Sequence, residues 1–389
     1  MKHEIKELAK QYFAEIVQIR RHLHKYPELS FDEKETSKYI QNILNTWGIK
    51  FKTNYADTGI VAIVQGKSPN SNVTALRADF DALPILEKNN IDYCSVNSGV
   101  MHACGHDAHT ASLLGTIKIL DTLKKNWYGS IKFIFQPAEE RLPGGAQQMI
   151  KEGVLKSPNV NQIFAQHVYP DLEKGKVGFK AGRYMASTDE IYINIQGIGG
   201  HAALPSKTIN PIVISTELLD LLFKHFDSIE NKLSIFSIGY INAQGSTNVI
   251  PNILNMMGTF RCMDDKWRIQ AHKDMLAISN KVASKYKSKI EFDIRKGYPS
   301  LYNNQELTLK AITLAKDFLG DKQVVELPIR MTAEDFAYYT KEIPSCFYRL
   351  GTGNVKKGIV HDLHTSRFNI DEESLEIGMS LMAWLAIHH

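Results

Sequence analysis

The chain has 389 residues, 43% of them hydrophobic and 23% charged, with a formal net charge of +4. That composition excludes a disordered chain, and the length calls for a large domain with a smaller one beside it. The small positive balance, without a cluster of Lys and Arg, excludes the electrostatic footprint of a nucleic-acid or membrane-surface protein.

The first residues carry charges throughout and lack the apolar run and cleavage site of a signal peptide. No later segment offers the roughly 20 apolar residues of a membrane span. Cys94, Cys104, Cys262 and Cys346 show no framework spacing, so reduced thiols in a cytoplasm are expected. Ile5, Leu8, Tyr12, Ile16 and Ile19 recur at helical spacing over 5–25 until Pro27 stops the helix, and a second helix is expected over 33–47, ending at Gly48. Short apolar runs then alternate with helical patterns: GIVAIVQG, VTALRADF, a helix from His106, SIKFIFQ, the helix GGAQQMIKEG, then IFAQHV. Such alternation predicts an α/β domain, a sheet flanked by helices with strands buried on both faces and chemistry at the strand ends.

Between 187 and 297 the pattern changes. DEIYINIQG, PIVISTELLDLLFKHF, KLSIFSIGYINA, ILNMMGTFRCM, DKWRIQAHKDMLAISNKVASKY and KIEFDIRKG read as β-α-β-β-α-β, a ferredoxin-like α+β unit. The α/β pattern then resumes with a helix over 306–319, strand-like VVELPIRM, a helix over 333–341, the strand CFYRLG and a helix from Glu372. The expectation is a discontinuous catalytic domain, 1–186 and 298–389, with a small domain, 187–297, inserted between its two parts.

MHACGHDAHT packs three histidines and a thiol together. If extended, it puts Cys104 and His106 on one side, and Asp107 then caps the following helix. QPAEE places two adjacent carboxylates after a strand, which suits one ligand and one free base. AQHVYP puts His167 at another strand end before Pro170, and DLHTSRF offers His364, with His361 as a competitor. Each feature alone has a bland counterpart: a buried thiol, a surface turn, a capping histidine. Their succession at strand ends is what points to a metal constellation. Asn248 in STNVIPN is a candidate polar donor or a turn residue, and Arg261 in GTFRC either grips a substrate carboxylate or forms a salt bridge. Thr332 and Asp335 read as a capping pair, and Glu334 as a further site candidate.

RRHLHKYPELSFDEKET, RADFDALPI, HACGHDAHTA, FQPAEE, GIGGHAALP, NVIPN, TAEDFAYY and LHTSRF, in this order, resemble the signatures of the M20 metallopeptidase family. The likeness is to its amidohydrolase branch, which contains hippurate hydrolases, N-acetyl-diaminopimelate deacetylases and auxin-conjugate hydrolases. The resemblance implies two divalent metal ions (Mn, Zn, Co or Ni) on Cys104, His106, Glu140, His167 and His364, with Glu139 as general base. It also implies that Asp81 orients a ligating histidine, although a turn-forming Asp before Pro84 is the plain alternative; Asp79 reads as a structural or nearby polar residue. His201 of GGHAALP would reach the partner's active site in a homodimer formed through the inserted domain. The implied reaction is hydrolysis of the amide bond of N-acyl amino acids. An aminopeptidase or dipeptidase and a catalytically silent metal- or amino-acid-binding protein are the alternatives, and Cys104 favours the amidohydrolase branch, because the family's peptidases more often place a carboxylate there. Arg141-Leu142-Pro143 and Thr365-Ser366 depart from the family pattern at positions that would shape the substrate pocket.

Overall fold

In the computed structural model, residues 1–69, 72–227 and 233–388 are described. The chain divides into two compact units, one comprising Met1–Gly182, Tyr302–Pro328 and Asp335–His389, the other Arg183–Leu301 and Ile329–Glu334. The first unit is built on an eight-stranded mixed sheet in the order Lys50–Tyr55, Gly59–Gln65, Ser130–Gln136, Val73–Asp79, Gln162–Glu173, Ser345–Gly353, Val177–Phe179, Val324–Glu326. Its central strands run parallel. Val73–Asp79, Ser130–Gln136 and Ser345–Gly353 are buried at every residue, which is why the sequence shows unbroken apolar runs there. Lys50–Tyr55 is an antiparallel edge strand of alternating exposed and half-buried residues, and its polar sequence KFKTNY gave no apolar signal.

Helices Lys2–Lys25, His106–Thr122 and Ser374–Ile387 pack on one another. The first buries a stripe that includes Ile5, Ala9, Ile16, Ile19 and Leu23, while the other two are buried almost all round, the pattern of inner-layer helices. The helix expected over 333–341 is instead a 3₁₀ turn, Asp335–Tyr338, followed by one helical turn, Tyr339–Glu342. The Asp335 carboxylate is drawn inside onto the buried Arg77, 2.7 Å away, rather than remaining at the surface.

The second unit carries a four-stranded antiparallel sheet in the order Ser234–Asn242, Ile253–Cys262, Ser187–Gln196, Lys289–Lys296. With helices Pro211–Asp227 and Asp265–Tyr286 it forms the βαββαβ arrangement. Ile191, Ile193 and Ile195 alternate inward along the strand, and Asp264 caps the second helix by accepting from the N–H groups of Lys266 and Trp267. Lys232, the start of the expected strand KLSIFSIGYINA, lies outside the described residues. The segment Ile329–Glu334 groups with this unit.

Candidate metal centre

The parallel strands of the first unit end at one edge, and the candidate residues gather there. Cys104 and His106 are brought together by a turn, not by an extended strand. Gly105 sits at φ +83, and a Cβ on it would lie 2.4 Å from Val168, so only glycine fits both the left-handed turn and the close approach. His106 then opens the helix, whose N-terminus has no side-chain cap. Asp107 therefore does not cap it. It is buried, with Oδ2 2.7 Å from Arg20 and 2.8 Å from His24, because these buried side chains outcompete the helix's own N–H groups.

His167 is also placed differently from expectation. Its strand does not stop before Pro170 but runs to Glu173, paired with Ser345–Gly353 through an irregularity after Gly351. The other neighbour, Val73–Asp79, pairs only as far as Ala165, so His167 lies beyond the paired stretch, level with the last residue of that strand. His364, at φ +62 and half exposed, approaches with its Nε2 3.3 Å from Glu140 Oε1. His361 is exposed and belongs to none of the donor groups described below.

One oxygen, nitrogen or sulfur from each of Cys104, His106 and His167 lies within 4.8 Å of the others, and the same holds for Cys104, Glu140 and His364, and for His106, Glu139 and Glu140. The other ring nitrogens are already committed. His167 Nδ1 donates to the Val168 carbonyl at 2.8 Å, and His106 Nδ1 faces Asp81 Oδ1 at 3.2 Å. Burial, the positive charge of Arg349 and nearby His109 hold the His167 imidazole well below its ordinary pKa, so the neutral ring turns an Nε2 lone pair toward Cys104 Sγ, 3.4 Å away. Among the described residues, His106 Nε2 and Glu140 Oε1 are buried without a hydrogen-bond partner, an arrangement that costs free energy unless something binds them.

The electrostatics agree. Burial opposes a charge on His106, yet Asp79, Asp81 and Glu140 drive its pKa up to about 10. Burial, then Glu140, Glu139 and Asp79, push the Cys104 thiol well above its usual value. The donor set thus carries excess negative charge around unpartnered atoms, and a thiolate, imidazole and carboxylate set of this kind fits divalent transition metals.

Supporting residues complete the edge. Asp81 Oδ2 accepts from the Glu140 N–H at 2.9 Å and from Ser30 Oγ at 2.7 Å. Glu139 is buried, and its Oε1 accepts from the Asp335 N–H at 3.4 Å. Asp79 bridges Arg77, at 2.5 Å, and His109 Nδ1, at 2.5 Å. His109 Nε2 in turn accepts from the Val168 N–H at 2.9 Å, fixing the backbone next to His167. Sequence reasoning assigned His109 and Arg77 no role. The spacing of His109 three residues after His106, one helical face, was the available signal.

His201, Asn248 and Arg261 belong to the second unit. His201 pairs with Val249 in a two-stranded ribbon, and the Asn248 carbonyl accepts from the Ala202 N–H at 3.0 Å, so these two residues are neighbours. Both are exposed. His201 Nδ1 accepts from the Ala203 N–H at 3.1 Å, which leaves the proton of the neutral ring on Nε2. Arg261, half buried on Ile253–Cys262, is held below its usual pKa by burial. The sheet's buried acid, Asp189, bonds Arg268 and His272. Glu334 is buried in the segment Ile329–Glu334 of the second unit. All four cysteines are free, and among the described residues no helix is long and apolar enough to cross a membrane.

The model of peptidase family M20/M25/M40 matches residues 75–388. N-acetylcysteine deacetylase of Bacillus subtilis is 36% identical over 383 residues, covering 97% of each chain. N-acyl-L-amino acid amidohydrolase of Geobacillus stearothermophilus is 38% identical over 309 residues, 78% of this chain and 82% of that one. Among solved structures, a Bacillus subtilis protein described as a dinuclear metal binding peptidase from the M20 family superposes with a TM-score of 0.84 at 34% identity, covering 97% and 98% of the two chains. Relatives at this level are thus named as amidohydrolases and deacetylases, and carboxypeptidases are among them too.

Proposed function

This chain belongs to peptidase family M20/M25/M40, and from that premise we propose that it hydrolyses the amide bond of small N-acyl amino acids, releasing a carboxylic acid and the free amino acid. The observation that carries the reading is the pair of donor triplets that share Cys104, with Glu139 buried beside Glu140. Cys104, His106 and His167 would hold one divalent ion, and Cys104, Glu140 and His364 the other. When bound, such ions supply a lowered water pKa and Lewis-acid polarisation of the amide carbonyl. Glu139 takes a proton from the attacking water and delivers it to the departing amine nitrogen. Asp81 holds the His106 ring and the Glu140 backbone at once, so it orients two of the donor residues.

The second unit supplies the remaining groups in this reading. His201 Nε2–H donates to the oxyanion that develops on the carbonyl oxygen, Asn248 adds a polar contact beside it, and Arg261 grips the substrate carboxylate. A homodimer formed through the βαββαβ unit is the assembly in which His201 serves the partner's centre.

The test is a substrate panel of N-acetyl and N-benzoyl amino acids against free dipeptides, before and after chelation and with Mn²⁺ or Zn²⁺ restored. Metal-dependent release of the amino acid from the N-acyl substrates is expected. Preference for dipeptides would move the chain to the peptidases, and a metal-loaded protein inert to the panel would remove the hydrolytic reading.

A further inference from the structure

The sequence PELSFDEKET belongs to the N-terminal part of the chain, and the reaction outlined above gives it no task. Glu33 within it is fully buried. Its Oε1 accepts from the backbone N–H of Ala138 at 2.8 Å, and its Oε2 from Thr58 Oγ1 at 3.2 Å. Ala138 is the residue before Glu139 and sits at φ +53, a left-handed conformation that an L-residue with a Cβ adopts only when its surroundings over-determine it. Two other contacts fix the same turn. The Glu140 N–H donates to Asp81 at 2.9 Å, and the Ala138 carbonyl accepts from the Gly145 N–H at 3.0 Å.

In an extended chain consecutive side chains diverge onto opposite faces. Here a strained turn instead brings a carboxylate oxygen of Glu139 and one of Glu140 within 4.8 Å of each other and of His106, and its Ala138 and Glu140 N–H groups are gripped by two buried carboxylates, Glu33 and Asp81. We propose that Glu33 is a positioning residue for the hydrolytic centre: by accepting the Ala138 N–H it holds the turn in the conformation that gives Glu139 and Glu140 their separate tasks. This inference rests on the reading of Glu139 as base and Glu140 as metal ligand. Burial, with Asp81 next, raises the Glu33 carboxyl to about 7. The neutral and charged forms both accept an N–H, so the bond does not depend on which is present. An amide at position 33 preserves it, while a shorter side chain does not reach.

The experiment compares wild type with Glu33→Gln, Glu33→Ala, Glu33→Asp, Ala138→Gly and the Glu33→Ala/Ala138→Gly double variant, measuring kcat, KM, bound metal and thermal midpoint. A small misplacement of a reacting group costs on the order of 10²-fold, so Glu33→Ala is expected to lower kcat about 10- to 100-fold with KM little changed. Glu33→Gln should restore most of that loss. Glycine adopts a positive φ unaided, so the loss caused by Glu33→Ala should shrink in the Ala138→Gly background. If Glu33→Ala does not fold, Glu33→Asp carries the comparison with Glu33→Gln. Wild-type kcat in the Ala and Asp variants, equal losses in Gln and Ala, or a loss undiminished by glycine at 138 would overturn the proposal. A wild-type enzyme inert to every N-acyl amino acid would instead sink the reading on which it rests.

Discussion

The two sets of candidate groups in this chain are held in opposite ways. Around Cys104, His106 and His167 the side chains are buried, and His106 and His167 each have their second ring nitrogen committed, one to a carboxylate and one to a carbonyl. His201 and Asn248 in the second unit lie exposed on a two-stranded ribbon, tied mainly by local bonds to Ala203 and Ser246. A preorganised centre works because its groups need no reorientation when charge develops. An exposed donor gains comparable strength only where water is excluded from it. The contrast is between groups fixed by folding and exposed groups that, in the function proposed above, binding would complete, and variants in each region should fail in different ways.

The largest effect is expected in the first region. Glu139→Gln removes the proton acceptor while keeping shape, and should lower kcat by about 10²- to 10⁴-fold with two metal ions still bound. Near-normal turnover by this variant with its metal intact would remove Glu139 from its role. In the second region, His201→Ala should cost about 10²- to 10³-fold in kcat without altering metal content. Mixing the Glu139→Gln and His201→Ala proteins under conditions of subunit exchange tests whether the histidine acts across a dimer. Half of the dimers would then be mixed and each would hold one intact site, so about a quarter of wild-type activity should return. No recovery in demonstrably exchanged dimers would place His201 in its own subunit's site or outside catalysis.

How the sequence carried this contrast follows from the range of the interactions. The βαββαβ unit was readable because its alternating strands and amphipathic helices are local patterns, and the buried parallel strands because double-sided burial leaves unbroken apolar runs. Cys104, His106, Glu140, His167 and His364 were found as residue types at apparent strand ends, and their assignment as a set came from the resemblance. The geometry behind them was not readable. The Gly105 turn is dictated by Val168, 63 residues after Gly105 and its neighbour only in the fold, and Asp107 is claimed by Arg20 and His24 from a different helix. His109, Arg77 and Glu33 escaped because their partners, Val168, Asp335 and Ala138, are remote in sequence. A polar side chain's role is set by what it bonds, and that is a long-range fact.

Asp81→Asn sharpens the comparison within the first region. The amide keeps one acceptor but cannot serve both His106 and the Glu140 N–H with a charge, and such supporting contacts typically contribute about 10- to 100-fold to metal affinity or activity. A loss in that range, accompanied by weaker metal binding in a competition titration with a chelator, is expected. An unchanged metal affinity with unchanged kcat would show that the turn orients Glu140 without Asp81.

The smallest effect on rate, and a distinct one on stability, is expected at the periphery of the buried network. Glu87 Oε1 lies 3.0 Å from His24 Nε2, and Oε2 accepts from the Ser95 N–H at 2.7 Å. Burial alone would raise its carboxyl, but the hydrogen bond and charge of His24, with Ser95 and Asn89, outweigh it and hold the pKa at about 2 against an ordinary 4.5. Because the folded value is the depressed one, Glu87 stabilises the fold fully above about pH 4.5, and that contribution is lost as pH falls toward 2. At 1.36 kcal/mol per unit the contribution is at most about 3 kcal/mol. Glu87→Gln should therefore lower unfolding free energy at pH 7 by about 1–3 kcal/mol and flatten its acid dependence between pH 4.5 and 2, with kcat unchanged. Urea unfolding at a series of pH values measures both. An unaltered acid slope would mean that Glu87 titrates alike in folded and unfolded chains, whereas a large fall in kcat would extend the preorganised region out to His24 and Glu87.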